Sequence, residues 1–154
     1  VNILVNLLQF DSNAYVRKAT AWSLGNYSES PVLFPLINSL RQDVAAVRLW
    51  ASSSLAEAGS ISKENADIAA VQLLISLKID VEPIVRSNCI WSLGRLYEHL
   101  TEDRRHELVE AFVLLLLQDS ESSVRYEART ALEQLDDLPV KARLQKLIEE
   151  GLVV

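Results

Sequence analysis

The sequence predicts an all-α chain, a superhelical solenoid of about four helical pairs plus a terminal helix. Three observations predict it. Val-Arg pairs recur at Val16-Arg17, Val47-Arg48, Val85-Arg86 and Val124-Arg125, with gaps of 31, 38 and 39 residues. A repeat of that period marks stacked supersecondary units rather than one folded core. A small side chain stands three after each Arg (Thr20, Ala51, Cys89, Ala128) and a Leu seven after it (Leu24, Leu55, Leu93, Leu132), so these positions share one helical face. Finally, no stretch alternates with period two between hairpin turns, and connections are short throughout. The expected units are about 1–27, 31–58, 62–100 and 102–136, followed by a terminal helix at 139–151, all in one domain of residues 1–151.

Taken in order, residues 1–9 read as a helix, with Ile3, Leu4, Leu7 and Leu8 at helical spacing. Asp11-Ser12-Asn13 supplies turn and N-cap residues before a helix from Ala14 to about Tyr27, and Ser28 to Pro31 breaks it. The next pair spans Val32 to Gln42 and Val44 to Ala58, with Pro35 tolerated because it lies in a first turn. Gly59-Ser60 closes that unit. A helix from Ser62 to Leu77 follows, then Asp80 to Pro83 as turn and cap, then a helix from Ile84 to Leu100. Thr101-Glu102-Asp103 starts the next helix, whose run Val113 to Leu117 is apolar all round and is expected to sit between neighbours. Asp119 to Ser123 turns the chain into Val124 to Leu135, and Pro139 opens a last helix closed at Gly151.

Composition narrows the function classes. The chain has 154 residues and a net charge of -6, with 5 basic and 6 acidic residues in 1–77 against 10 and 15 in 78–154. Phosphate affinity comes largely from Lys and Arg, so nucleic acid is not an expected partner. One cysteine excludes an intrachain disulfide framework, and a reducing, cytoplasmic setting is the natural reading. No apolar run approaches a membrane span, and no signal peptide is visible. The chain opens at Val1 inside an apolar periodic segment and ends in Leu152-Val153-Val154, as a piece of a longer array would. Self-association or continuation into a longer solenoid is therefore expected.

The paired helices, with Asp in the intra-pair turn and Val-Arg at the start of the second helix, resemble HEAT repeats. The pattern D-x-x-x-x-V-R-x-x-A-x-x-x-L-G resembles the HEAT branch named for phycobilisome lyases. Asp11, Val16, Arg17, Leu24 and Gly25 match it in the first unit, and Asp80, Val85, Arg86, Leu93 and Gly94 in the third. In the second unit Asp43 lies one residue nearer Arg48 and Ala56 replaces Gly. In the fourth, Asp119, Val124, Arg125, Ala128 and Leu132 match while Glu133 replaces Gly. The resemblance covers residues 1 to about 137, in units shorter than typical HEAT units. It implies a scaffold fold and, for the branch, an accessory role (lyase-like or chaperone-like) for bilin-bearing phycobiliprotein subunits. Fold alone does not fix function.

The Asp and Arg columns carry a structural expectation. Each Asp can cap its second helix, and each Arg can reach the Asp of a neighbouring unit, giving a ladder through Asp11, Arg17, Asp43, Arg48, Asp80, Arg86, Asp119 and Arg125. The position five after Arg falls away from the buried stripe, and its column reads Trp22, Ser53, Trp91, Thr130. One after Arg the column reads Lys18, Leu49, Ser87, Tyr126. Trp22, Trp91, Tyr126, Lys18, Leu49 and Arg95 are thus candidate partner-binding residues on an aromatic ridge, since Trp, Tyr and Arg most often anchor interfaces. The alternative is that each Trp packs across the next unit as core. Trp50, two after its Arg, reads as core.

Candidates for chemistry are few. His99 and His106 flank acidic residues, but a new helix is expected to begin between them and no second His stands at i+4 as a helical zinc pair requires. HEAT-like di-iron hydroxylases carry repeated His-Glu pairs, whereas this chain has only His106-Glu107. Cys89 occupies the small-residue column and reads as a buried apolar side chain rather than a nucleophile. The four glycines are expected at helix ends or tight contacts, with no phosphate loop among them. The expected protein is therefore a non-catalytic adaptor without cofactor or metal that binds a protein partner.

Overall fold

The computed structural model describes residues 2–27 and 32–153, so the expected break at Ser28–Pro31 and the terminal residues Val1 and Val154 lie outside the described residues. Among those described, nine α-helices are the regular elements: α1 Asn2–Phe10, α2 Ala14–Leu24, α3 Leu33–Gln42, α4 Ala45–Gly59, α5 Lys63–Ile79, α6 Pro83–Leu96, α7 Glu102–Gln118, α8 Ser122–Gln134 and α9 Leu138–Glu149. Consecutive helices pair, and the second helices α2, α4, α6 and α8 pack side by side in one layer behind the first helices α1, α3, α5 and α7.

Helix starts follow their caps. Asn13, Ser62, Thr101 and Asp137 each accept a backbone N–H of the first turn through the side chain, opening α2, α5, α7 and α9. Pro83 and Pro139 occupy first-turn positions, where no backbone donor is needed. At the other end of α9, Gly151 takes φ 75°, a left-handed conformation suited to glycine.

The repeated stripe is the core. Val47, Val85 and Val124, Ala51, Cys89 and Ala128, and Leu24, Leu55, Leu93 and Leu132 are all buried. Burying one such Leu or Val contributes roughly 1.5–3 kcal/mol, which explains why the units cannot fold alone and must stack. Burial also pushes the Cys89 thiol up, which keeps it protonated and unreactive.

Two local expectations are corrected. The helix expected to reach Leu100 stops at Leu96, and Tyr97–His99 forms one 3-10 turn. Arg105 sets this turn by donating to the carbonyls of Tyr97 and Glu98. The run Val113 to Leu117 is not enclosed, because Leu114 is 48% and Leu117 39% exposed while only Val113 and Leu116 are buried. As part of the outer layer, α7 keeps one face in solvent. Gly94 lies in the last turn of α6, at the expected helix end, with open space where a Cβ would stand.

Candidate functional site

The Arg and Asp columns meet across units. Arg17 Nε and Nη2 donate to Asp43, both at 2.9 Å; Arg48 donates likewise to Asp80 at 2.9 and 3.1 Å, and Arg86 to Asp119 at 3.0 Å for both bonds. Each of these Arg side chains, and Arg125, uses Nη1 to donate to the backbone carbonyl of the Asp in its own unit. One guanidinium thus ties its own turn to the next one through a planar fork. Among the described residues no Arg pairs with Asp11, and Arg125 reaches only the Asp119 carbonyl.

The Asp residues do not act as N-caps of the second helices. Asp43, Asp80 and Asp119 close the preceding helix, and each Oδ1 accepts a turn N–H, from Val44, Glu82 and Glu121 respectively. The physical reason is position, since the N-caps of the second helices are Asn13, Val44, Glu82 and Glu121, one or two residues beyond each Asp. At Asp119 burial pushes the carboxyl pKa up, but the bonds from Arg86 and the Glu121 N–H, with the Arg86 and Arg125 charges, outweigh it and hold the group below the usual range.

A groove of about 920 Å³ crosses the second-helix layer. Trp22 of α2, Leu49 and Trp50 of α4, and Ile84 and Trp91 of α6 supply its apolar walls, while Ser53, Asn88, Glu57 and Glu127 supply polar groups. Trp22 is 56% and Trp91 47% exposed, so neither indole is sealed into the core. Asn88 fixes part of the floor, its Nδ2 donating to the Leu49 carbonyl at 2.9 Å and to the hydroxyls of Ser52 and Ser53. Of the remaining ridge residues, Lys18 lines a smaller recess of about 240 Å³ with Tyr15, Trp22 and Trp50, its ammonium 5.9 Å from the Tyr15 ring centroid. Arg95 lies over the Trp91 ring at 5.0 Å. Tyr126 is 68% exposed and stands outside the groove wall.

Trp50 corrects the sequence reading. It packs partly against the core but is only half-buried and lines both recesses. At about 100° per residue its position lies only about 60° from the column of Trp22 and Trp91, a proximity visible in the spacing. A second missed signal is the serine six after Arg. Ser54 Oγ donates to the Ala21 carbonyl at 2.5 Å and Ser92 Oγ to the Ser52 carbonyl at 2.6 Å, so each buried hydroxyl grips the preceding second helix. Ser23 holds the same column in the first unit.

Two further ties join the outer layer, Arg104 to Asp67 across α7 and α5 at 2.8 Å, and Arg143 to Glu110 across α9 and α7. Tyr97 Oη donates to Asp137 at 2.8 Å, fastening the start of α9. His99 Nε2 is 3.7 Å from Glu98 in the 3-10 turn, while His106 belongs to α7 beside Tyr97 and Arg143. Among the described residues no group of three or more His, Cys, Asp and Glu side chains could hold a metal ion, and no helix is long and apolar enough to cross a membrane.

A search of curated proteins finds no match. The family described as HEAT repeats matches residues 1–94. Beyond that match, the Arg86–Asp119 fork carries the same unit-to-unit step into α7 and α8. By its matched repeats and the helical pairs they form, the chain belongs to the HEAT repeat family.

Proposed function

We propose that this chain is a non-catalytic scaffold, one repeat domain over residues 1–151, that binds a protein segment in the groove across its second helices. HEAT repeats generally mediate protein–protein interactions. The observation that carries the reading is the pair of half-exposed indoles, Trp22 and Trp91, on opposite walls of one groove with Trp50 between them. Large apolar side chains grouped at the surface mark interaction sites, and Trp is the commonest anchor. Lys18, Leu49 and Tyr126 extend the proposed contact surface, with Arg95 at its edge over Trp91, whereas the Arg–Asp ladder is structural.

Peptides selected from a display library on the intact chain provide the test. Replacing Trp22 or Trp91 by Ala should weaken the selected peptides by roughly 30-fold, as loss of one anchor worth about 2 kcal/mol implies, and replacing both should weaken them by up to roughly 1,000-fold. The helical circular dichroism should be unchanged. Unaltered binding, or an unfolded double variant, refutes the reading.

A second reading is the accessory role toward bilin-bearing subunits, favoured by the Asp, Val, Arg, Leu and Gly columns shared by units one and three. Absorbance titration with a bilin separates the two, because absence of a spectral shift leaves the scaffold alone. Self-association is supported by Ile3 and Phe10, which are exposed on α1.

A further inference from the structure

Arg95 holds a cation at the edge of this groove, against two of its lining residues, Trp91 and Glu57. Its guanidinium lies 5.0 Å from the Trp91 ring centroid, and Nη2 donates to Glu57 Oε1 at 2.6 Å. The two partners are 50% and 48% exposed, and a pair so open to water adds little net stability. An indole face beside a carboxylate is a guanidinium site by its chemistry. Here the chain's own arginine fills it. Farther along the groove Glu127 projects from α8, and among the described residues it forms no salt bridge. The other nearby cation, Lys18, is stationed over Tyr15 in the smaller recess. The carboxyl-terminal half of the chain is also the acidic one, with 15 acidic against 10 basic residues in 78–154.

We infer that the groove recognises an extended basic segment of a partner protein, one of whose arginines takes the Trp91–Glu57 site from Arg95 while a second cationic side chain reaches Glu127. The assignment rests on the groove being the docking surface proposed above, and it adds the partner's chemistry. Helix axes in such a layer stand about 8–10 Å apart, so Glu57 on α4 and Glu127 on α8 are separated by roughly 20 Å. An extended chain covers that in about six residues at roughly 3.3 Å each. The two cations of the segment therefore stand about six positions apart. Arg95 is a placeholder that competes with the ligand.

The probes are three blocked peptides with five-residue Gly-Ser spacers, carrying at both ends arginine, glutamate or leucine. All three Trp side chains of the protein line the groove, so intrinsic fluorescence reports occupancy directly. The arginine peptide should bind best and weaken as salt is raised. Arg95→Ala should tighten it by about three- to tenfold, and Glu127→Gln should weaken it by a similar factor. Both substitutions are at the surface, and unchanged circular dichroism will show that each variant keeps its fold. Equal binding of the glutamate peptide, or an Arg95→Ala variant that binds no tighter, overturns the inference. If the leucine peptide binds and the arginine peptide does not, the cation site falls while the groove reading stands. If no peptide binds, or binding survives loss of both Trp22 and Trp91, both fall.

Discussion

Replacing Gly25 by Ala should destabilise the protein, whereas replacing Gly94 by Ala should stabilise it, although both glycines end the same tetrapeptide, Trp-Ser-Leu-Gly. A Cβ on Gly25 would stand 2.7 Å from Ser54 Oγ, 3.2 Å from Ser54 Cβ and 3.3 Å from Ser54 Cα. The hydroxyl cannot swing away freely, since it donates to the Ala21 carbonyl in a buried bond, and leaving such a group unpaired costs about 1–3 kcal/mol. The alternative is to move α4 off α2, an overpacking cost of about 1–3 kcal/mol. Gly25 already has helical dihedrals, φ -62° and ψ -18°, so part of this is offset by the lower backbone entropy of Ala. A net loss of about 1–2 kcal/mol remains. At Gly94 no atom lies within 4 Å of the added Cβ, and the residue is inside α6. Only the helix gain of about 0.5–1 kcal/mol applies there. With a urea slope of about 2 kcal/mol/M, Gly25→Ala should lower the midpoint by about 0.5–1 M and Gly94→Ala raise it by about 0.25–0.5 M. Urea titration followed by circular dichroism and by Trp fluorescence gives both numbers, and the two probes together detect unit-by-unit unfolding. Shifts of the same sign in the two variants would refute the reasoning.

Two other perturbations test how the units are joined. Arg86 is 8% exposed and bridges two turns, so Arg86→Ala should cost about 3–5 kcal/mol, the scale for stranding one partner of a buried pair. Arg125→Ala, in the same column but with one carbonyl bond, should cost about 1 kcal/mol; equal costs by denaturant titration would contradict the ladder geometry. Tyr97 is the alkaline counterpart. Burial first, then the bond and charge of Asp137, push its phenol up to about 12 against a small opposing effect of Arg105. An acid whose pKa is raised by folding stabilises the native state fully below its unfolded pKa of about 10 and loses that contribution as pH rises through about 12. Stability should therefore fall by up to on the order of 2 kcal/mol between pH 10 and 12, and Tyr97→Phe should lose most of this slope; an unchanged slope in the variant would exclude Tyr97 as its source.

Periodicity was enough to define the helices, because a stripe of Val, small residue and Leu can be buried only by stacking against a like stripe. Asp and Arg recurring five or six residues apart in every unit likewise announced a unit-to-unit tie, since a planar fork needs a carboxylate within reach. Other features depended on which helix lies next to which. Whether a Trp far from the stripe is sealed or open is decided by the neighbouring second helix, and α4 adds Ser53 and Trp50 to the groove that Trp22 and Trp91 line. Trp50 became a groove wall because its flank faces two recesses that no single helix defines. The matched Trp-Ser-Leu-Gly segments look interchangeable in one dimension, yet Ser54 presses on Gly25 while nothing approaches Gly94. Local pattern carries the face a residue occupies; the distance to the atom opposite belongs to the packed array alone.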